Sequence, residues 1–280
     1  MNILLRRRKL GHGSCKGIQE ASTTGLSVLR NDAPFPTDIE YVFRWGCTSN
    51  IPEGAKAVNS AKSIHWCSDK RQGRLDMQEA NVSVPKTISV LTTAPVQVFL
   101  NANNIPTWVG RPAHHAQGRN LITGRLDECV RQVRAWGGGY VSELINKVAE
   151  YRVAVIQNRV AWVAQKTPGN PDQVAWNVAQ GGKFENVRWD NWPMQVVKEA
   201  IAAAKVSGTD FCGVDVMVDA AGKAFVLEVN SAPSQTSPYR QKCFAKCFDY
   251  IITNGKDHFP EPTHYRNYKK VIHPALIVEE

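Results

Sequence analysis

Alternation of apolar and polar positions is clearest near the C-terminal end. Phe211 to Asp219 and Ala224 to Asn230 repeat with a period of two on either side of Ala220-Ala221-Gly222-Lys223, the pattern of a β-hairpin. Upstream, Met194 to Val206 is rich in Ala, Val, Lys and Glu, with Pro193 at its start and Gly208 beyond its end, which predicts a helix. Tyr151 to Gln165 predicts two strands around a turn at Asn158-Arg159, and Lys242 to Ile252 a further helix before a polar tail. In the middle of the chain, Ile105 to Arg111 and Tyr140 to Ile145 read as strands. Between them lie a polar loop, Pro112 to Asn120, and a helical stretch, Asp127 to Trp136, stopped by Gly137-Gly138-Gly139. The first third reads as a small α/β unit. It has a strand from Ile3 to Leu5, a turn at Gly11-His12-Gly13-Ser14 and a helix from Ile18 to Leu29. A strand from Ile39 to Phe43 and a crossover from Ala55 to Ile64 follow. Ser68-Asp69-Lys70 opens a helix running to about Glu79, and Val84-Pro85-Lys86-Thr87 is extended.

At 280 residues the chain is long enough for two compact units or one elaborated one. A composition 43% hydrophobic and 21% charged supplies a core and excludes disorder and collagen-like repeats. No apolar run approaches the ~20 residues of a membrane span. At the N-terminus the charge of Arg6-Arg7-Arg8-Lys9 follows the apolar stretch, the reverse of a secretory signal, so a cytoplasmic location is expected. Seven cysteines without a Cys-x-x-Cys pair fit ordinary thiols in a reducing compartment, and Cys243 with Cys247 supplies at most half a metal site. The net charge of +9 points to an anionic ligand: nucleic acid, a nucleotide or an acidic substrate. No helix-turn-helix, zinc finger or aromatic–basic RNA signature accompanies that charge.

Candidate chemistry sits on the hairpin. With Ala221-Gly222 as the turn, Lys223 pairs with Ala220 and Glu228 falls opposite Asp215. Val214, Val216 and Val218 then oppose Val229, Leu227 and Phe225, an apolar face suited to the core. The other face carries Asp215, Glu228 and Asn230. Directly opposed side chains have Cβ atoms ~5 Å apart, where like charges repel. A cation between them removes that cost, and Asp, Glu and Asn oxygens are hard ligands of the kind Mg²⁺ accepts. The same pattern also reads as the solvated polar face of an amphipathic hairpin. Met217 as the lone apolar residue beside the acids, and the small-residue turn Ser231-Ala232-Pro233-Ser234, favour a lined cleft.

Asp215 to Asp219, Gly222-Lys223 and Val226 to Pro233 resemble the C-terminal signature of the ATP-grasp carboxylate–amine ligases. The resemblance is closest to the branch containing the ribosomal-protein glutamate ligases. Trp45-Gly46, Asn59-Ser60 and Asp69-Lys70 are similar to short phage-encoded ATP-grasp proteins. The resemblance implies an α/β (α+β) ATP-grasp fold, with nucleotide held between two mainly antiparallel sheets. It divides the chain into a small α/β N-terminal domain (1–82), a central subdomain (83–145) and a C-terminal subdomain with the metal-binding hairpin (146–280). It implies ATP and two Mg²⁺ ions, with Mn²⁺ able to substitute, held by Asp215, Glu228 and Asn230. Lys70 and Arg111 take the place of its phosphate-binding lysines. Glu143 and Leu144 match its adenine hinge, and Glu150 its ribose acid. Arg152, Lys166 and Asn177 match residues on the transferred phosphate and acyl group. His114 and His115 lie in the loop after Arg111, either as solvated residues or as phosphate or substrate contacts.

The resemblance implies an ATP-dependent ligase that joins a carboxylate to an amine through an acyl phosphate, on peptide or small-molecule substrates. An acidic substrate fits the charge. No membrane or nucleic-acid partner is implied, and the location is the cytoplasm, or the host cytoplasm for a phage-encoded chain. An ATP-grasp kinase or degenerate nucleotide binder would share the nucleotide site, and a basic nucleic-acid-binding protein would share only the charge. A trapped hydroxamate separates the ligase from the kinase, and salt-dependent binding of random oligonucleotides would identify the third class.

Overall fold

The computed structural model describes residues 1–7, 11–91, 105–114, 120–170, 173–176, 181–266 and 269–278, with no side chains described at 264–271. Four parallel strands come first: β1 (Asn2–Arg6), β2 (Leu26–Arg30), β3 (Tyr41–Trp45) and β4 (Lys56–Val58), in the order β2-β1-β3-β4, with α1 (His12–Ala21) joining β1 to β2. Next come α2 (Ala61–Ser68) and α3 (Lys70–Glu79). Asp69 caps α3 by accepting a hydrogen bond from the Gln72 amide at 3.0 Å, as the Ser-Asp-Lys sequence predicts.

A second, antiparallel sheet holds β5 (Thr87–Val90), β6 (Trp108–Pro112), β7 (Ile122–Gly124) and β8 (Gly139–Glu143), ordered β5-β8-β6-β7 and covered by α4 (Leu126–Ala135). The third sheet, also antiparallel, contains β9 (Lys147–Ile156), β10 (Arg159–Thr167), β11 (Lys183–Val187), β12 (Phe211–Asp219) and β13 (Ala224–Asn230), in the order β11-β10-β9-β12-β13. One face of this sheet presents Val153, Val163, Val214, Val216 and Val229 to the main core, which includes α5 (Met194–Ser207). The opposite face carries Glu150, Arg152, Lys166 and Asp215. A fully apolar sheet face is buried under a helix, so the charged face is left to line a cleft.

Asn59 ties the parallel sheet to the third sheet: its amide donates to Asp210 at 2.7 Å, and its side chain donates to the Phe211 carbonyl at 2.9 Å. The Gly46 amide donates to the Ser231 carbonyl at 3.1 Å, so the end of β3 abuts the loop that leaves β13. The final helix, α6 (Pro238–Asn254), buries Phe244 and Phe248 against Trp45, Phe211 and Phe43.

Two sequence expectations need correction. The helix expected from Ile18 to Leu29 begins earlier and ends at Ala21, and Leu26–Arg30 is instead β2. Gly25 turns the chain with φ +73°, after which Leu26 to Arg30 pair residue by residue with β1. The tail contains a hairpin of β14 (His264–Arg266) and β15 (Lys269–Ile272), and Leu276 beyond it is buried.

The turn between α1 and β2 is held by one carboxylate. Asp249 of α6 accepts from the Ser22 hydroxyl, from the Thr23 amide (2.8 Å) and hydroxyl (2.9 Å), and from the Thr24 hydroxyl (2.7 Å). Burial alone would raise its pKa, but these donors outweigh burial and hold it below the ordinary 3.8. A depressed folded pKa contributes stability above the unfolded value and loses it as pH falls through the folded one. Asp249→Ala is expected to cost about 2 kcal/mol in urea unfolding at pH 7. The gap from wild type should narrow when the same unfolding is measured below pH 4.

Candidate active site

The hairpin places its acids as the sequence predicts. Asp215 pairs with Glu228, and Gly213 with Asn230, which puts the three oxygen-bearing side chains on one face. The register then shifts, and Val216 pairs with Val226 instead of Leu227. Leu227 is therefore the extra residue of a β-bulge, and it lines the cleft beside Glu228 while Val226 fills the core. Nearer the turn the expected register fails: Val218 pairs with Ala224 and Met217 with Phe225, because an odd loop closed between Asp219 and Lys223 shifts the pairing by one residue. The bulge at Leu227 shifts it back, so Phe225 and Leu227 leave the inward face while Asp215 still meets Glu228.

Asp215 also faces Arg152 across the β9–β12 pair. The guanidinium grips it with two hydrogen bonds of 2.7 Å each, and Lys166 Nζ lies 3.3 Å from the same carboxylate. Gly213 leaves room for this arrangement, since a Cβ there would meet Pro233 at 2.7 Å and the Arg152 stem at 3.7 Å. Lys166 bonds in addition to Glu150, which also accepts from Lys147. The result is a buried ladder of alternating sign: Lys147, Glu150, Lys166, Asp215 and Arg152. Burial by itself would push the Asp215 pKa up, but Arg152 and then Lys166 reverse the effect and hold it below the usual carboxylate range. For Lys147, burial outweighs the attraction of Glu150 and lowers the pKa.

Lys147, Glu150, Lys166 and Asp215 form part of one wall of a cleft of about 280 Å³ between the second and third sheets. Of the residues singled out in the sequence, Lys70, Glu150, Lys166, Asp215, Glu228 and Asn230 line this wall. Arg111, Glu143 and Leu144 line the opposite side, from β6 and from the end of β8. The Glu143 carboxylate accepts from the Lys86 amide at 3.1 Å, so it also ties the end of β8 to the approach of β5. Val109, Leu121, Ile145, Met217 and Leu227 make an apolar slot between the two walls. Arg152 sits behind Asp215, outside the lining. His114 Nδ1 lies 3.0 Å from the Ser68 carbonyl, which bridges the loop after β6 to the α2–α3 junction. Asn177 and His115 lie outside the described residues.

Two charged lining residues were not singled out. Arg74, buried on α3, donates through Nε to the Leu227 carbonyl at 2.5 Å and lies over the Tyr140 ring at 5.8 Å. It falls one helical turn after Lys70, a spacing that could have marked it as facing the same cleft. Lys147 donates to the Val174 carbonyl at 2.9 Å and lies 4.6 Å over the Trp176 ring, fastening that segment to the cleft edge.

Two carboxylates and an amide on one face form a hard-oxygen set, suited to Mg²⁺ and unlike the nitrogen and sulfur ligands of zinc. Among the described residues, no group of three or more His, Cys, Asp or Glu side chains offers another metal position. Among the same residues no helix is long and apolar enough to cross a membrane.

The fold has counterparts among solved structures. The ATP-grasp ligase PsnB, in complex with Mg, ADP and a phosphomimetic variant of its minimal precursor, aligns with a TM-score of 0.63 at 13% identity. That alignment covers 90% of this chain and 97% of PsnB. The D-alanine–D-alanine ligase of Bacillus anthracis aligns equally well, with a TM-score of 0.63 at 13% identity over 92% of this chain and 95% of that one. The fold is ATP-grasp, and the class is that of the ATP-dependent ligases, which generally use ATP with Mg²⁺. Residues 136–243 match the RimK-like ATP-grasp domain. A "Probable alpha-L-glutamate ligase" of Vibrio parahaemolyticus is 25% identical over 214 residues, which are 72% of this chain and 69% of that protein.

The ladder makes an energetic statement that does not depend on catalysis. Arg152→Met leaves Asp215 buried with Lys166 alone, an expected loss of about 3 kcal/mol in denaturant unfolding. Adding Asp215→Asn to that variant should then cost less than Asp215→Asn costs in the wild type, a coupling that a double-mutant cycle reads directly.

Proposed function

We propose that this cleft binds ATP with Mg²⁺ and that the chain activates a carboxylate as its acyl phosphate for attack by an amine. Asp215, Glu228 and Asn230 gathered with Lys70 and Lys166 on one wall of the cleft, with Arg111 on the other, is the observation that carries this reading. A site needing both hard-oxygen ligands and several cations fits a metal–polyphosphate better than a neutral substrate. The Leu144 backbone and the apolar slot take the base beside Glu143. Glu150 takes the ribose hydroxyls with the lone pairs that Lys147 and Lys166 leave unused.

Asp215, Glu228 and Asn230 would hold two Mg²⁺ ions, for which Mn²⁺ can substitute. When bound, the metal offsets charge on the phosphate oxygens. Lys70 and Arg111 hold the phosphates in line with the incoming carboxylate. A carboxylate oxygen attacks the γ-phosphorus, the bond to the bridging oxygen breaks, and ADP leaves with its electron pair. Arg152 and Lys166 offset the charge as the phosphoryl group moves. The amine nitrogen then attacks the acyl carbon, phosphate departs, and the nitrogen loses a proton to give the amide. Asn177 completes the acyl-phosphate side of the site.

The chain divides functionally at 1–82, 83–145 and 146–280, and its first unit, beside the loop after Asn230, supports the second substrate. That substrate is a peptide or small molecule, and an acidic one suits the net charge of +9. All seven cysteines are free and buried, which fits a reducing cytoplasm.

Asp215→Asn and Glu228→Gln are each expected to abolish ADP release while the thermal melt stays cooperative. Hydroxylamine added to wild-type turnover should trap the activated acid as a hydroxamate. Full ADP release by either variant would overturn the metal assignment, and ADP release without hydroxamate would favour a kinase.

A further inference from the structure

Lys70 occupies a position that a bound cation would otherwise claim. Its backbone is fixed at the first turn of α3, where Asp69 caps the helix and the Lys70 amide donates to the Ala113 carbonyl at 3.1 Å. Its side chain crosses to β13. There Nζ donates to the Val229 carbonyl at 3.0 Å and to Asn230 Oδ1 at 3.2 Å, and lies 3.4 Å from Glu228 Oε2. Three consecutive residues thus turn three oxygens onto one ammonium. The Asn230 amide in turn donates to Glu228 Oε1 at 2.9 Å, holding the two side chains together around it.

We infer that Lys70 is a built-in counter-cation for the Glu228–Asn230 pair, which a metal ion can join only after the ammonium has been drawn away. This inference rests on the proposed metal site and adds an order of events to it. A metal arriving alone meets a like charge already seated among its ligands and must displace it. An anionic phosphate chain offers the ammonium a competing partner. Nucleotide binding therefore releases Glu228 and Asn230, and metal and nucleotide bind cooperatively beyond their own affinity for each other. The Asp215 side of the site follows the same logic more rigidly, since Arg152 holds that carboxylate bidentately and Lys166 adds a second contact. Lys70 is the mobile half of the arrangement: its chain of single bonds carries a point charge with no fixed fork.

The test uses Mn²⁺ alone, read by the electron paramagnetic resonance of the free ion, with no nucleotide and no turnover. Lys70→Met should bind Mn²⁺ about ten-fold more tightly than wild type. Lys70→Gln, which keeps a donor for the Val229 carbonyl, should show the same direction of change and covers the case in which the methionine variant does not fold. Lys70→Arg, which keeps the charge, should remain close to wild type. Adding Glu228→Gln to Lys70→Met should erase the gain. Unchanged or weaker Mn²⁺ binding in a folded Lys70→Met or Lys70→Gln overturns the inference.

A parallel titration with Mn²⁺–ADP separates this failure from failure of the underlying site. If Asp215→Asn and Glu228→Gln bind Mn²⁺–ADP as wild type does, the metal reading itself is wrong. If they lose that binding while the lysine variants show no gain with Mn²⁺ alone, only the role of Lys70 falls.

Discussion

Everything in this cleft depends on burying several charges on one sheet face without leaving any of them alone. Asp215 is 4% exposed and Glu150 is 3% exposed, so neither has water to solvate it. Asp215 is met by Arg152 of β9 and Lys166 of β10, and Glu150 by Lys166 and by Lys147 of its own strand, in contacts that the register of β9, β10 and β12 sets. Such a ladder is weak as a source of stability, since desolvation consumes most of what the ion pairs return. Its consequence is positional. A one-residue slip of any of these strands would move its charges into the valine face, so the polar face locks the register that the site requires.

That constraint links fold to chemistry. The apolar faces of the second and third sheets are covered by helices, and their remaining faces meet across the cleft. The same alternation that buries Val214 and Val216 must aim Asp215 the other way. The β-bulge then adds what strict alternation cannot: Leu227 and Glu228 both reach the cleft, one as apolar floor and the other as acid. Arg74 hydrogen-bonds the bulge carbonyl and so supports this irregularity from α3.

Much of this was legible in the sequence where the signals were local. The hairpin around Gly222, the helix from Met194 and the cap at Asp69 each rest on neighbouring residues, and each falls where expected. The pairing of Asp215 with Glu228 falls where expected, but through two departures that cancel: an odd loop shifts the register and the bulge at Leu227 restores it. What failed depended on distant partners. Leu26 to Arg30 is a strand because β1 pairs with it, a fact absent from its own pattern. The bulge at Leu227 and the burial of Arg74 answer to each other across a long separation in sequence, with no period to betray them. The Lys147–Glu150–Lys166 chain was invisible for the same reason, although each charge could be seen singly.

The most direct measurement is anomalous diffraction from crystals grown with Mn²⁺ and ADP. The expected map has manganese in contact with Asp215, Glu228 and Asn230, and the diphosphate between them and Lys70 and Arg111. Nucleotide bound in the cleft with manganese away from all three oxygen ligands, or nucleotide bound elsewhere, would contradict the site described above.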